Sequence, residues 1–308
     1  MKILKWGACL GLFLTFNGRV QAGGWLSLEG GRAEDYRLGG LSGGGNFGEG
    51  EAWSWQAAVL QSLAVLADDG RQLQTSELDA GLGYDLGEHW DIELDGRGGR
   101  DSTDMRFGGG SAGLGAHAGS GSLRAALTLL GGSTHYSFTP EETLRQNKGA
   151  AELSLRVAPA LTLGASAGAY NYNRDLYRPG GSTTSSSSVV NSGPGGIFGF
   201  LGQGSTVTTM TTTTSSSPGE PQLDPLLSGF PSREWTARLG LEASPETRFG
   251  AHYTQIEIIE TGAWDKLVGA FWRQEWGGML SSKASWSKAV EGGSDSPYFS
   301  LVLAWDFD

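Results

Sequence analysis

Five carboxylates fall two residues apart in two short runs, Glu77 and Asp79, then Asp91, Glu93 and Asp95. On a strand a spacing of two puts each run on one face, so two neighbouring strands would build an acidic wall. Arg106, Arg124, Arg156, Arg238, Arg248 and Lys283 follow it along the chain. Around water, such groups set up a field that filters solutes by charge. Packed dry, they must pair into a network, because unpaired buried carboxylates are prohibitively costly. A second chemistry is suggested by His135-Tyr136-Ser137. Here His135 and Ser137 would share a strand face as the base and nucleophile of an acyl hydrolase, with Asn147, Glu141 or Glu142 to orient the histidine. His89, His117 and His252 show no metal-ligand spacing. No phosphate loop, dinucleotide fingerprint or EF-hand loop stands in a credible context. Neither a metal nor a cofactor is expected.

The elements that must position these groups are strands. Residues 161–173 show it cleanly: Leu161, Leu163, Ala165, Ala167 and Ala169 alternate with Thr162, Gly164, Ser166, Gly168, Tyr170 and Tyr172. Likewise Trp235, Ala237, Leu239 and Leu241 alternate with Glu234, Thr236, Arg238 and Glu242. Period-two alternation bounded by turn residues predicts strands near 52–64, 72–84, 88–97, 104–117, 122–132, 148–157 and 161–173. It predicts five more near 233–243, 247–258, 264–273, 276–287 and 296–307. Gly87-Glu88, Pro159-Ala160, Ser244-Pro245-Glu246 and Arg273-Gln274-Glu275 read as tight turns, while 98–103, 133–147, 174–232 and 289–295 read as longer, more polar connections. Residues 24–30 and 37–47 add two strands for a total of fourteen; as a lumenal segment they would leave twelve.

Composition agrees with a membrane wall rather than a soluble core. The 308 residues include 51 Gly, and only 18% are charged. Glycine suits a curved, crowded wall although it weakens an ordinary strand. The net charge of −11 argues against nucleic acid as a partner. No run beyond the N-terminal segment approaches the length of a spanning helix, and in lipid the other structure that satisfies every backbone group is a closed barrel. Lys2 and Lys5, the apolar run from Gly7 to Phe16, and Val20-Gln21-Ala22 read as a signal peptide over 1–22. The single cysteine, Cys9, lies within it. One barrel then accounts for 23–308.

The final residues, Tyr298–Asp308 (YFSLVLAWDFD), put Phe299, Leu301, Leu303, Trp305 and Phe307 on one face. This segment resembles the closing strand of Gram-negative outer-membrane β-barrels. The resemblance implies an all-β, antiparallel up-and-down barrel in the cell outer membrane, with its last strand ending at the periplasmic surface. It also implies an aromatic tail read by the barrel-insertion machinery, and contact with outer-membrane lipids and lipopolysaccharide. The tryptophans Trp25, Trp53, Trp55, Trp90, Trp235, Trp264, Trp272, Trp276, Trp286 and Trp305 fall near strand ends, as interfacial girdles do; a carbohydrate-stacking track is the alternative.

Three functions follow as expectations. The leading one is a porin-like channel in which the acidic and basic residues above line a pore for small hydrophilic solutes. The second is a surface-display or export-assisting barrel presenting 174–232, a segment rich in Ser, Thr, Gly and Pro. Within that segment Ile197, Phe198, Phe200 and Leu201 form an apolar patch, either a sticky spot on a mobile loop or a constriction folded into the barrel mouth. The third is a lipid hydrolase, since the His-x-Ser pair is similar to that of outer-membrane phospholipase and lipid A deacylase barrels.

Overall fold

The computed structural model describes residues 24–34, 36–48, 52–65, 72–120, 123–139, 142–174, 230–291 and 297–307, together with four short strands between 177 and 223. In chain order the strands are β1 (Gly24–Arg32), β2 (Tyr36–Phe47), β3 (Trp53–Val65), β4 (Gln72–Asp85), β5 (Trp90–Asp101), β6 (Arg106–Ser120), β7 (Leu123–Thr139), β8 (Glu142–Ala158) and β9 (Leu161–Tyr172). The short strands β10 (Tyr177–Arg178), β11 (Ser188–Asn191), β12 (Val207–Met210) and β13 (Gln222–Leu223) follow. The last five are β14 (Pro231–Ser244), β15 (Thr247–Ile258), β16 (Trp264–Trp276), β17 (Leu280–Glu291) and β18 (Tyr298–Phe307).

Fourteen strands close into one antiparallel barrel in the order β1 to β9, then β14 to β18, with β18 returning to β1. The seam is fully paired: Leu28 lies opposite Leu303 and Arg32 opposite Phe299. Residues 24–47 therefore belong to the wall, and the twelve-stranded alternative with an N-terminal plug is excluded. The short strands pair as β10 with β13 and β11 with β12, outside the barrel sheet. The expected signal peptide and the patch Ile197, Phe198, Phe200 and Leu201 lie outside the described residues.

Three connections differ from expectation. The polar stretch 133–147 is mostly strand, because β7 runs to Thr139 and β8 starts at Glu142. β5 continues through Asp101, whose Oδ1 accepts from the backbone N–H of Thr103 and Met105 and closes the turn. The turn placed at Arg273–Glu275 sits later, at Gly277 and Gly278, whose φ values of 68° and 86° favour glycine. Polar residues extend these strands because the ends concerned stand beyond the apolar belt, where side-chain hydropathy no longer marks the wall.

The belt is plain on the outside. Leu28, Leu78, Leu94, Leu114, Leu129, Leu153, Leu239 and Leu301 are all exposed, and all share the outward parity of their strands. The outward rings of Trp53, Trp90 and Trp276 are exposed at the rim where β1 begins and β18 ends. Trp25 is the exception: its neighbour across β1 and β18 is Asp306, one residue out of phase with the outward Leu26–Trp305 pair, so it faces the lumen. A basic side chain on the lipid face costs about 2–4 kcal/mol at mid-height and about 0–1 near the interfaces. Charges at mid-height consequently point inward.

Candidate functional site

The inward face carries the chemistry. Glu77 and Asp79 on β4 and Asp91, Glu93 and Asp95 on β5 alternate with exposed Leu78, Leu82, Ile92 and Leu94, so all five carboxylates face the lumen. The inner face of β6 opposite them is small: Asp91 lies across from Gly115, Glu93 from Gly113 and Asp95 from Ser111. A Cβ on Gly115 would meet the Asp91 carboxylate at 2.1 Å, so glycine there makes room for the acid. His117, also inward, makes a hydrogen-bond contact with Asp91 through Nε2.

A basic wall stands opposite. Arg248 on β15, Arg273 on β16 and Lys283 on β17 are consecutive cross-strand partners and form one lateral row. In the ring order, β15 and β16 lie seven strands from β4 and β5, half-way round the fourteen. Lys283 Nζ sits 5.2 Å above the Phe271 ring, a cation–π contact. Phe271 itself lies flat over Gly250, where a Cβ would meet the ring at 2.1 Å. Asp91 and Glu93 share with this row a cavity of about 950 Å³, into which Arg124 and Arg156 also open.

Between the two walls runs a ladder of ion pairs. Lys148, Glu152 and Arg156 recur every four residues on β8, and Glu234, Arg238 and Glu242 do so on β14. The signs alternate and are complementary. Lys148 Nζ reaches Glu234 at 2.6 Å, Arg238 Nη1 reaches Glu152 at 2.6 Å, and Arg156 Nη2 reaches Glu242 at 2.7 Å. Arg248 adds a contact of 3.4 Å to the same Glu242. These bridges cross over β9, whose inward residues Thr162, Gly164, Ser166 and Gly168 are short enough to be spanned. The Tyr170 hydroxyl tops the ladder, donating to Glu234 at 2.7 Å.

Towards the other rim aromatic side chains cluster on the lumenal face. Tyr136, Leu144 and Phe230 are buried, with Phe107, Phe138 and Tyr172 against them. Phe230 meets Tyr136 and Tyr172 edge-on at 5.2 and 5.6 Å, and the Tyr172 hydroxyl donates to the Pro231 carbonyl at 2.5 Å. Phe230, immediately before β14, thus seats its ring on the lumenal side of the wall. Arg97 lies beneath, 5.9 Å from the Phe107 ring centroid, and its Nη2 donates to the Thr134 and Tyr136 hydroxyls at 3.5 Å. A second cluster of Tyr36, Leu38 and Ala64, with Tyr298 packed on it, lies on the wall built from β2, β3 and β18.

Of the residues singled out from sequence, Glu77, Asp79, Asp91, Glu93, Asp95, Arg124, Arg156, Arg238, Arg248 and Lys283 face the lumen. Arg106 does not. It pairs with Arg100 on β5 and shares the parity of the exposed Leu114, so it points out of the barrel. On the glycine-rich β6, Leu114 alone sets the phase. Arg97, Lys148, Glu152, Arg273 and, on β1, Glu29 are among the lumenal charges missed. Continuing the Asp91-Glu93-Asp95 alternation by one step would have reached Arg97. His135 and Ser137 point outward at the rim opposite the start of β1 and the end of β18, but the residue across from His135 is Arg145, a cation rather than an acceptor. Asn147 lies across from Ser133, and Glu141 is outside the described residues.

A closed, even-stranded barrel with an apolar belt outside and charged groups inside is the architecture of the transmembrane β-barrels. Neither a protein-family model nor a curated protein matches the sequence. Solved structures with a similar fold include the KdgM porin, at 7% identity and a TM-score of 0.42, matched over 92% of this chain and 99% of that one. Pseudomonas aeruginosa OccK11 (OpdR) is 11% identical, with a TM-score of 0.44 over 93% and 96% of the two chains. The Acinetobacter baumannii outer membrane protein Omp33 is 9% identical, with a TM-score of 0.47 over 93% and 98%. At such identities the likeness is one of architecture.

Proposed function

We propose that the barrel is a porin-like channel of the Gram-negative outer membrane that passes small hydrophilic solutes. The observation that carries this reading is the cavity of about 950 Å³ bounded by an acidic wall and, half-way round the barrel, a basic row. Eight-stranded barrels are filled by their own side chains, whereas wider ones leave space. The two walls face each other across that space, so water solvates them, and a wet lumen with a transverse field sorts solutes by charge as well as width. The barrel sits with the start of β1 and the end of β18 at the periplasmic face, delivered there by the expected signal peptide. The aromatic ring around Phe230 then forms the outer constriction. The display and export-assisting readings rest on 174–232, most of which lies outside the described residues.

Planar-bilayer recording of the folded protein tests this. Stepwise conductance in KCl is expected, and Phe230→Ala should raise the step by widening the constriction. Folded, inserted protein that never conducts would refute the channel. The hydrolase reading needs an acceptor to orient His135, and the cross-strand neighbour is a cation. Nothing in the geometry favours it over the channel.

A further inference from the structure

The outer surface of the wall is not symmetric about its apolar belt. At the rim where β1 begins and β18 ends it is aromatic, with Trp53, Trp90 and Trp276 exposed. At the opposite rim the stretch from β5 to β8 is cationic, while Phe299 on β18 is exposed elsewhere on the same rim. Arg100, Arg106, His135 and Arg145 share outward parity with Leu94, Leu114, Leu129 and Leu153 on β5, β6, β7 and β8, and all four are exposed.

Register makes them one cluster. Arg100 lies directly opposite Arg106, Arg106 opposite Ser137, and His135 opposite Arg145. Arg145 Nε donates to the Ser133 hydroxyl at 3.1 Å, and Thr143 stands across from Ser137. The nearest carboxylate on β5, Asp101, is turned into the connection after it, where it accepts from Thr103 and Met105. Like charges directly opposite one another on a sheet repel. An anion between them would convert that repulsion into attraction, and guanidinium groups bind phosphate in bidentate fashion. β1 and β2 repeat the device on a smaller scale, with Arg32 opposite Arg37.

We propose that the Arg100, Arg106, His135 and Arg145 face docks the phosphorylated headgroup of a lipid A-type glycolipid in the outer leaflet. The reading of this rim as the outer one rests on the function proposed above. Side chains on the lipid side of the wall, just beyond the apolar belt, meet headgroups rather than passing solutes. Strands lie about 4.8 Å apart, so the cluster spans about 14 Å from β5 to β8. That is wider than one phosphate and suits a headgroup carrying two. Ser133, Ser137 and Thr143 place hydroxyls between the cations, where a sugar presents its own.

The test is native mass spectrometry of the full mature protein in detergent, titrated with diphosphoryl lipid A, monophosphoryl lipid A or phosphatidylglycerol. Wild type is expected to retain the diphosphoryl form at least about tenfold better than phosphatidylglycerol, with the monophosphoryl form between. Arg100→Gln/Arg106→Gln/Arg145→Gln should lose about tenfold or more of that binding. Arg106→Gln alone should lose a smaller part, which keeps the test open if the triple variant folds poorly. Equal retention of all three lipids, or undiminished binding by a folded triple variant, would overturn the proposal. Binding in detergent does not depend on conductance. A barrel that conducts but shows no lipid A preference fails here alone, and one that binds but never conducts fails only as a channel.

Discussion

Arg238→Met is expected to destabilise the folded barrel by about 3 kcal/mol. The Arg238 side chain is 5% exposed and places Nη1 at 2.6 Å from Glu152, so its charge is held almost wholly out of water. Removing one partner of such a pair leaves the other uncompensated, which costs about 3–5 kcal/mol in buried settings. Glu152 retains 33% exposure towards the lumen, and water can reach it there. The lower end of the range is therefore expected. Arg238 Nη2 also donates to Ser166 at 3.4 Å, tying the pair to β9. Urea titration followed by tryptophan fluorescence, with the loss of the compact folded band on gels as a second readout, measures the effect. The double variant Arg238→Met/Glu152→Gln should recover about half of the loss, since it removes the orphaned carboxylate along with its partner. A single variant within about 0.5 kcal/mol of wild type, the scatter of surface substitutions, would mean that the ladder is solvated and structurally idle.

This ladder marks the boundary of what could be read from the chain alone. Strand number and parity were legible because alternation is a property of each strand by itself. The YFSLVLAWDFD segment phases β18, Ile92 and Leu94 phase β5, and the alternating leucines of β7 and β9 phase theirs. The acidic wall was legible for the same reason, since both of its runs carry their own spacing. The pairing of Lys148, Glu152 and Arg156 with Glu234, Arg238 and Glu242 was not. It depends on closure across β9 between strands separated by more than 70 residues, and on β9 presenting only short side chains there. Arg106 failed where the local signal is weakest, on a strand of glycines with a single leucine to set the phase. The aromatic constriction was hidden differently. Tyr136, Leu144, Tyr172 and Phe230 are scattered over four segments, and apolar residues facing a lumen break the rule that polar side chains point inward. The 133–147 stretch was misplaced because hydropathy marks where lipid is, and β7 and β8 continue past it.

Neutralising the two walls should shift ion preference in opposite directions. Asp91→Asn/Glu93→Gln is expected to move the channel towards anions, and Arg273→Gln/Lys283→Gln towards cations. All four residues line the same cavity, so a passing ion meets both walls at one level. A unit charge about 4 Å from an ion acts with about 1 kcal/mol in water and more where side chains exclude it, so each double variant should change the permeability ratio about fivefold or more. Arg248 is left intact in this comparison because Glu242 is already within 3.4 Å of it, and its removal would disturb the ladder as well as the field. Reversal potentials across a tenfold KCl gradient give the ratio directly. The shifts should shrink between 0.1 M and 1 M salt as the Debye length falls from about 10 Å to about 3 Å, which separates a field effect from a change in pore width. Shifts of the same sign in both variants, or shifts indifferent to salt, would mean that ions cross elsewhere and that the two walls only brace the barrel. Opposite, salt-sensitive shifts would place the conduction path between β4–β5 and β16–β17, with the ion-pair ladder of β8 and β14 as the neutral flank that leaves this field transverse to the flow.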